Sequence, residues 1–388
     1  MKAGVYKSLE EAFSQNSEQV IDILESAGER GRGGSGCSTS AKWRAAANVE
    51  ADQRYVIANG DEGDPGSFVD RVLMEGDPHS ILEGMILCGY AIGADKGFVY
   101  IRSEYPQAKR VMQNAIEEAR AEGVLGNEIY GTDFDFDVTI VEGTGVYVRG
   151  VETALIKSIE ELQGEVQSGS PFPGKEGLYG KPTVINNVET LMNVPYIISV
   201  GPEKYRALGT PATSGTKAIC LNYGFAHSGV IEIEFGTTFR EVIENIGGGG
   251  KDGRPLLAVL VGGPMGTLLM PEDWDLPICY DVLARNDVQL GHGGIIAIPE
   301  DCNFRDLFVH LVEFMVNESR GRCESDRLGS PEPLDAAIEE ARTCTDLEKM
   351  LSVIEAGSHC AFGHYTPGPI RALVTHFGSK IIGERTVD

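Results

Sequence analysis

Residues 31–43 read GRGGSGCSTSAKW, in which glycines and residues with hydroxyl side chains precede a single lysine. A loop without bulky side chains lets successive backbone N–H groups close on a phosphate, particularly where it opens a helix, and a lysine adds positive charge. The same composition is also typical of a mobile turn. Because the spacing matches neither G-x-G-x-x-G after a strand nor G-x-x-x-x-G-K followed by Ser or Thr, this stretch alone does not identify its ligand.

Three further stretches carry polar residues of similar character. The turn ANGDEGDPGSF contains four of them, Asn59, Asp61, Glu62 and Asp64. It could be a solvated acidic loop or a site for a hard cation, although it lacks the spacing of an EF-hand. In GTGVYVRGVETAL (143–155) and KPTVINNVETL (181–191) the polar residues stand where helices are predicted to begin, and helix capping explains them equally well.

Strands and helices are predicted to alternate through the first 200 residues or so. SEQVIDILESAG (17–28) has a serine cap, apolar residues at helical spacing and a terminal glycine, so a helix leads into the glycine loop. RYVIANG, GFVYIRSEY and FDFDVTIVEG predict strands, while HSILEGMILCGYAIGA and PQAKRVMQNAIEEARAEG predict helices. This order predicts an α/β domain with a mainly parallel sheet, whose ligands gather beyond the strand ends.

The pattern changes near residue 210. The segments GTKAICLNYG, GVIEIEFGTTFREVIENIGGG and LLAVLVGG give strand, strand, helix and strand, which indicates a small α+β module. After GGIIAIPEDCN the periodicity is helical and predicts a terminal bundle. The predicted domains are therefore 1–208, 209–296 and 297–388.

Composition excludes several classes of function. The 388 residues carry a net charge of -25, which repels nucleic acid and anionic membrane surfaces. The first residues lack an apolar signal region, and the longest nearly apolar stretch, 256–270, is too short to span a bilayer. Eight cysteines without a C-x-x-C pair indicate reduced thiols. We therefore expect a cytoplasmic protein without membrane insertion.

Taken together and in this order, the motifs resemble the NADH-binding flavoprotein subunit of respiratory complex I and its relatives in NAD-linked hydrogenases and formate dehydrogenases. The resemblance extends over nearly the whole chain, including DPHSILEGMILCGYAIGA, YIRSEYP and PFPGKEGLYGKPTVINNVETL. It implies a Rossmann-like FMN-binding α/β domain, a ubiquitin-like SLBB domain and a helical bundle that corresponds to the family's iron-sulfur domain.

The resemblance also implies the residues of an FMN site. The glycine loop would wrap the FMN phosphate, with N–H donors from Gly31, Gly33 and Gly34, and Lys42 would lie near the flavin. Asn59, Asp61 and Glu62 would reach the ribityl chain and ring, and Glu62 is the one candidate for a catalytic side chain. The pocket would be completed by Tyr147, Gly150, Glu152, Ile185, Asn186, Asn187 and Thr190. The hydride chemistry would belong to the flavin itself.

The sequence departs from the family at the cluster ligands. The family's SCGxCxPCR loop reads SRGRCESDR here, with Arg320 and Asp326 in place of two cysteines, which leaves Cys323 and the distant Cys360. Two thiolates cannot hold a 4Fe-4S cluster in the usual four-cysteine manner. Substitute ligands, a zinc site, and two ordinary buried thiols are the alternatives; the residues concerned are Cys323, Asp326, Cys344, His359, Cys360 and His364. We expect no cluster and no other metal.

The nucleotide side departs as well. The family's Phe-Pro-Thr-Gly becomes Cys-Ser-Thr-Ser beginning at Cys37, and a second phenylalanine becomes Ala45. Val151 removes one family carboxylate, and GSPF loses a lysine while Phe172 is kept. Asp64 and Phe172 are the remaining nucleotide candidates, so we expect NAD(P)H to bind less securely than FMN.

Two hypotheses follow. In the first, the chain is the FMN-binding subunit of a multisubunit oxidoreductase, exchanges a hydride with NAD(P)H and passes electrons to a partner subunit that carries iron-sulfur clusters or flavin. In the second, it is a non-catalytic scaffold or flavin relay subunit that no longer binds NADH. A freestanding flavin reductase has no sequence feature of its own.

Overall fold

The computed structural model describes residues 6–143, 152–160, 172–319 and 367–382, together with 348, 349, 351, 352, 355 and 365. Within these ranges the α-helices are α1 (Lys7–Phe13), α2 (Ser17–Ala27), α3 (Thr39–Ala47), α4 (Val69–Gly76), α5 (Pro78–Ile92), α6 (Pro106–Ala121), α7 (Glu152–Ile159), α8 (Val188–Val200), α9 (Pro202–Arg206), α10 (Tyr280–Arg285), α11 (Phe304–Ser319) and α12 (Pro367–Ile382).

The first sheet is parallel throughout, which confirms the predicted α/β class. Its strands are β1 (Tyr55–Gly60), β2 (Lys96–Arg102), β3 (Asp137–Gly143) and β4 (Thr183–Asn187), in the order β3-β2-β1-β4. The chain moves from β1 outward through β2 and β3, and then returns to add β4 on the other side of β1. The order of the strands therefore reverses between β1 and β4, and open α/β sheets bind ligands at such a point.

Helix α5 is the centre of the first core. Eleven of its fifteen residues are buried, as its apolar sequence predicts. Gly84 lets α5 approach α8 closely, because a Cβ at this position would lie only 2.0 Å from the carbonyl oxygen of Leu191. The tight crossing fixes α8, and with it the end of β4, relative to the sheet.

Helix α2 leads into the glycine loop as predicted, but its cap differs from the prediction. Asn16, rather than Ser17, is the N-cap: its side chain accepts from the backbone N–H of Gln19, whose side chain accepts from the N–H of Asn16. Gly28 ends the helix in the left-handed region, at φ 70°. This reciprocal capping satisfies two backbone donors, whereas a lone serine cap would satisfy only one.

The second sheet is mixed and has five strands. They are β5 (Thr216–Leu221), β6 (Gly229–Glu234), β7 (Leu256–Val261), β8 (Thr267–Leu269) and β9 (Gly294–Pro299), in the order β6-β5-β9-β7-β8. β5 and β9 are parallel and the other pairs are antiparallel. The segment between β6 and β7, predicted as a helix, forms a short π-helix at Glu241–Ile246. The ubiquitin-like assignment and the domain boundaries at 208/209 and 296/297 stay predictions.

Buried charges join the two sheets. The guanidinium of Arg32 donates to Glu29 (3.0 Å) and also to the carbonyl oxygens of Ser214 (3.1 Å) and Thr216 (3.0 Å). Burial lowers the pKa of Arg32, but the charge of Glu29 outweighs it and raises the pKa, so the guanidinium stays charged. Moving the two sheets apart would break these contacts and leave a buried ion without its partner, which costs free energy. The buried pair therefore fixes the position of one sheet relative to the other.

Helices α11 and α12 pack against the second sheet and each other. Phe304 and Phe377 stack with ring centroids 4.0 Å apart, and they belong to a hydrophobic core that the two helices share with the second sheet. Within the described residues, no helix is both long and apolar enough to cross a membrane.

Candidate cofactor site

The predicted site residues on the two central strands meet at the point where the strand order reverses. β1 and β4 are hydrogen-bonded neighbours, and Asn59 pairs in register with Asn187, as Ala58 does with Asn186. Both strands end at this edge, where α8 begins directly after Asn187. The sequence motifs that were separated by more than 100 residues therefore lie side by side.

The glycine loop offers backbone donors at this edge. The amide of Gly31 donates to the carbonyl oxygen of Cys37 (2.8 Å), which closes the loop on itself. Between them, the amides of Gly33, Gly34, Ser35 and Gly36 donate to no acceptor among the described residues. Successive backbone N–H groups without acceptors in a turn suit a phosphate, because each is available to donate to one of its oxygens.

Close contacts with the second sheet explain two of the glycines. Gly34 has a φ of +118°, and a Cβ there would lie 3.3 Å from the Cα of Gly291. Gly36 has a φ of +59°, and a Cβ there would lie 2.6 Å from the ring of Tyr280. The hydroxyl of Tyr280 donates to the carbonyl oxygen of Gly31 (2.8 Å). The loop is therefore held by Gly291 and Tyr280. Gly34 leaves room for the backbone of Gly291, and Gly36 leaves room for the ring of Tyr280.

The N-terminus of α8 anchors the same loop. The buried hydroxyl of Thr190 accepts from the amide of Arg32 (2.8 Å), and Gly33 lies directly against Asn187. Asn187 caps α8 by accepting from the amide of Glu189 (2.9 Å). A helix N-terminus carries positive partial charge, so it adds to the attraction of the loop for an anion.

Lys42 and Trp43 connect α3 to β4. The ammonium of Lys42 donates to the carboxylate of Glu152 and to the carbonyl oxygen of Ile185 (2.9 Å). The fully buried indole of Trp43 donates to the side chain of Asn186 (2.8 Å). Four predicted cofactor residues, Lys42, Glu152, Ile185 and Asn186, are thus brought together at one edge of the sheet.

In the acidic turn after β1, Asn59 and Glu62 accept hydrogen bonds from nearby residues of the same segment. Asn59 accepts from the amide of Asp61 (3.0 Å), which forms a local turn. Glu62 is buried and its carboxylate accepts from the hydroxyl of Ser67 and the amide of Val69 (2.6 Å), at the start of α4. The carboxylate of Glu62 therefore has a capping role in this structure, while its role toward a flavin stays a prediction.

A buried cluster of His292, Asp64 and Asp70 lies behind the glycine loop. Asp64 accepts from the backbone amide of His292 (3.0 Å) and pairs with its Nδ1 (3.1 Å). Asp70 lies 3.9 Å from Nε2 of the same ring and accepts from the side-chain amide of Asn187 (2.8 Å). Asp64 is a predicted nucleotide contact; here it faces the second sheet, and the nucleotide role stays a prediction.

Electrostatics within this cluster shift two pKa values upward. Burial lowers the pKa of His292, but the charge of Asp64 and its hydrogen bond outweigh burial, so the pKa is raised. Burial raises the pKa of Asp70, and the nearby charge of Glu62 raises it further, against the opposing effect of His292. The imidazole is therefore held in its cationic form and Asp70 toward its neutral form.

The predicted nucleotide side has an exposed aromatic ring. Phe172 is 46% exposed, and a Cβ on Gly174 would meet both the Phe172 ring (2.9 Å) and the Cβ of Ala45 (3.6 Å). Ala45 and Phe172 therefore both lie beside Gly174. Cys37 is also exposed and borders a groove of about 650 Å³ whose described lining contains no aromatic residue.

Four other predicted residues, Tyr147, Gly150, Cys323 and Cys360, lie outside the described residues. Sequence reasoning missed His292, Asp70 and Tyr280. Asp70 and His292 have no shared motif, and Tyr280 looks like an ordinary core aromatic in the sequence. Only the glycines on either side of His292, in GHGG, indicated a close backbone approach.

Comparison with known proteins gives two family matches. Residues 24–196 match the model of the Nuo51 FMN-binding domain, and residues 306–383 match that of the NADH-ubiquinone oxidoreductase-F iron-sulfur binding region. The first match covers the glycine loop and both central strands. The second covers α11 and α12.

Similar proteins extend over nearly the full chain. The NADP-reducing hydrogenase subunit HndC of Solidesulfovibrio fructosivorans is 40% identical over 97% of this chain and 78% of its own length. The F subunit of the NADH-quinone oxidoreductase of Aquifex aeolicus is 39% identical over 85% of this chain and 76% of its own length. The crystal structure of an NAD+-reducing NiFe hydrogenase in the H2-reduced state superposes with a TM-score of 0.86 at 32% identity, over 98% of this chain. The present chain spans 64% of the length of that hydrogenase chain.

Proposed function

Because the chain belongs to the family of FMN-binding subunits of NADH-quinone oxidoreductases and nicotinamide-reducing hydrogenases, we propose that it binds FMN and exchanges a hydride with NAD(P)H. It passes the electrons on to a partner subunit that carries iron-sulfur clusters or flavin. Its relatives are subunits of multisubunit redox assemblies. A cytoplasmic location is part of the proposal, and cell fractionation tests it.

The open amides of the glycine loop carry the proposal. They fit a phosphate because Gly33, Gly34, Ser35 and Gly36 keep their donors available and the N-terminus of α8 lies beside them. Lys42 and the ends of β1 and β4 supply polar groups for the remainder of the cofactor. When bound, FMN would supply hydride and single-electron chemistry, whereas the chain supplies binding, orientation and electrostatics.

Comparison of FMN with riboflavin tests this assignment. The purified protein should carry a flavin that is released on denaturation and identified as FMN by chromatography. The flavin-free protein should bind FMN much more tightly than riboflavin, which lacks the phosphate that the loop amides are proposed to hold. A colourless protein that binds neither compound would refute the proposal, and equal affinity for both would refute the role of the loop.

The nucleotide site is the less complete part of the proposal. The exposed ring of Phe172 beside Ala45 supports weak nucleotide binding, because one stacking partner is absent. Stacking on an aromatic side chain contributes about 1–3 kcal/mol for nucleic-acid bases. Anaerobic stopped-flow reduction of the bound flavin by NADH and by NADPH measures the remaining affinity for each nucleotide. Saturation at micromolar NADH would contradict the proposed weakening.

The exposed Phe172 ring and the small side chain of Ala45 also favour a second function. If neither nucleotide reduces the flavin, the chain acts as a scaffold or flavin relay that receives electrons from a neighbouring subunit. The Ala45→Phe variant distinguishes the two functions. Improved reduction by NADH would show that the site is weakened, and absence of any reduction in both proteins would favour the relay.

We further propose that the iron-sulfur region has lost its cluster. The region matches the family model, but Arg320 and Asp326 leave only Cys323 and Cys360 of the four expected thiolates. Anaerobic purification followed by iron and sulfide analysis should find no cluster. About four irons per chain would show that other side chains complete the ligand set.

A further inference from the structure

His292 brings together three parts of the molecule behind the glycine loop. It precedes β9 of the second sheet, its ring and amide bind Asp64 in the turn after β1, and its Nε2 faces Asp70 in α4. Its carbonyl oxygen accepts from the buried ammonium of Lys217 (3.0 Å). One residue of the second sheet therefore holds two carboxylates of the first.

This cluster is adjacent to the proposed phosphate cradle. A Cβ on Gly291 would lie 2.5 Å from the carboxylate of Asp64, and Gly34 lies against Gly291 on the other side. The side-chain amide of Asn187 donates a hydrogen bond to Asp70, and Gly33 packs against the same Asn187 side chain. The cluster and the glycine loop thus share two neighbours, the backbone of Gly291 and the side chain of Asn187.

The His292 ring is surrounded by buried acidic side chains, and a positive charge on the ring compensates for the charge of Asp64. Asp64 and Asp70 are 6% and 1% exposed, and Glu62 is also buried in the same turn. Glu189 in α8 is paired with Lys217 (2.6 Å), so that ammonium is already matched to a carboxylate. Without a positive ring, the charge of Asp64 would be uncompensated and would repel a phosphate dianion held by the adjacent loop.

We propose that His292 is a positioning residue of the cofactor site, whose positive ring fixes the acidic turn after β1 and offsets the charge of Asp64 beside the glycine loop. The inference rests on the proposed FMN function, since the anion concerned is a phosphate monoester. A residue beside the second sheet would then help to arrange a cofactor site whose binding residues belong to the first sheet.

Two substitutions test the role of the charge. His292→Gln keeps hydrogen-bonding capacity but removes the charge, so it should weaken FMN binding at pH 7.5 by at least about tenfold. Adding Asp64→Asn removes the carboxylate that the ring balanced, and the double variant should recover most of the affinity. His227→Gln is the matched control, because His227 is exposed and its ring contacts only the carbonyl oxygen of Ile246 among the hydrogen-bond partners described. Circular dichroism establishes that each variant is folded.

A merely structural role for His292 predicts a different result. If the ring only fills space or supports the turn, the double variant should bind FMN as weakly as the single variant or more weakly. That outcome, or an unchanged affinity in His292→Gln, would overturn the inference while leaving the FMN function intact. Absence of FMN binding by the wild-type protein would instead refute the proposed function, and the positioning role with it.

A measurement without FMN tests the charge itself. NMR of the flavin-free protein with labelled histidine should show the His292 ring still protonated at pH 8, and Asp64→Asn should lower its pKa. A His292 ring that titrates near the ordinary value of 6.5 in the wild-type protein would overturn the inference whatever the FMN results.

Discussion

The hydrogen bond between Thr190 and the glycine loop gives a direct test of how the loop is held. Thr190 is fully buried and its hydroxyl is the acceptor for the amide of Arg32, at 2.8 Å. Thr190→Val retains the shape of the side chain but leaves that amide without an acceptor. A buried donor left without a partner destabilises a protein by about 1–3 kcal/mol.

The same loss should appear in cofactor binding. If the loop amide shifts to find water, the neighbouring donors lose their arrangement, and FMN affinity should fall by about tenfold for each 1.4 kcal/mol. Thr190→Ser is the matched control because it keeps the hydroxyl and loses only a methyl group. Urea unfolding and fluorescence titration with FMN measure the two effects. Equal stability and equal affinity in the Val and Ser variants would refute the anchoring role.

Three other predictions follow from the buried charges and the loop. Lys217→Met should lower the free energy of unfolding by about 3–5 kcal/mol, because Glu189 is left buried without its cation, whereas exposed Lys251→Met should leave urea unfolding unchanged. Burial and Glu62 raise the pKa of Asp70 from 3.8 to about 8, so the flavin-free protein should lose stability as pH rises through that interval. Asp70→Asn should flatten this part of the profile in thermal melts at several pH values. Gly34→Ala should destabilise the loop by about 1–3 kcal/mol and abolish tight FMN binding, since alanine strongly disfavours a φ of +118°; full flavin content in the purified variant would contradict this.

Most of the first domain could be predicted because its information is local. The apolar periodicity of Pro106–Ala121 and the buried run at Tyr55–Gly60 determine a helix and a strand wherever they are placed. Strands alternating with helices then leave a parallel sheet as the ordinary solution. The polar residues after β1 were also predicted, because ligand sites gather at the ends of parallel strands. β4 was not predicted as a strand, and its site residues Asn186 and Asn187 came from the family resemblance.

The sequence by itself determined the class of the fold, the strand ends that carry polar residues, and the glycine loop with its lysine. These features depend on neighbouring residues, whose spacing is visible along the chain. Only the tertiary structure decided what each polar side chain does. Asp64 and His292 are 228 positions apart, and their contact depends on how two sheets pack, which no local pattern encodes. The same packing buries Lys217 against Glu189, because the free energy of a charge is set by the groups that surround it.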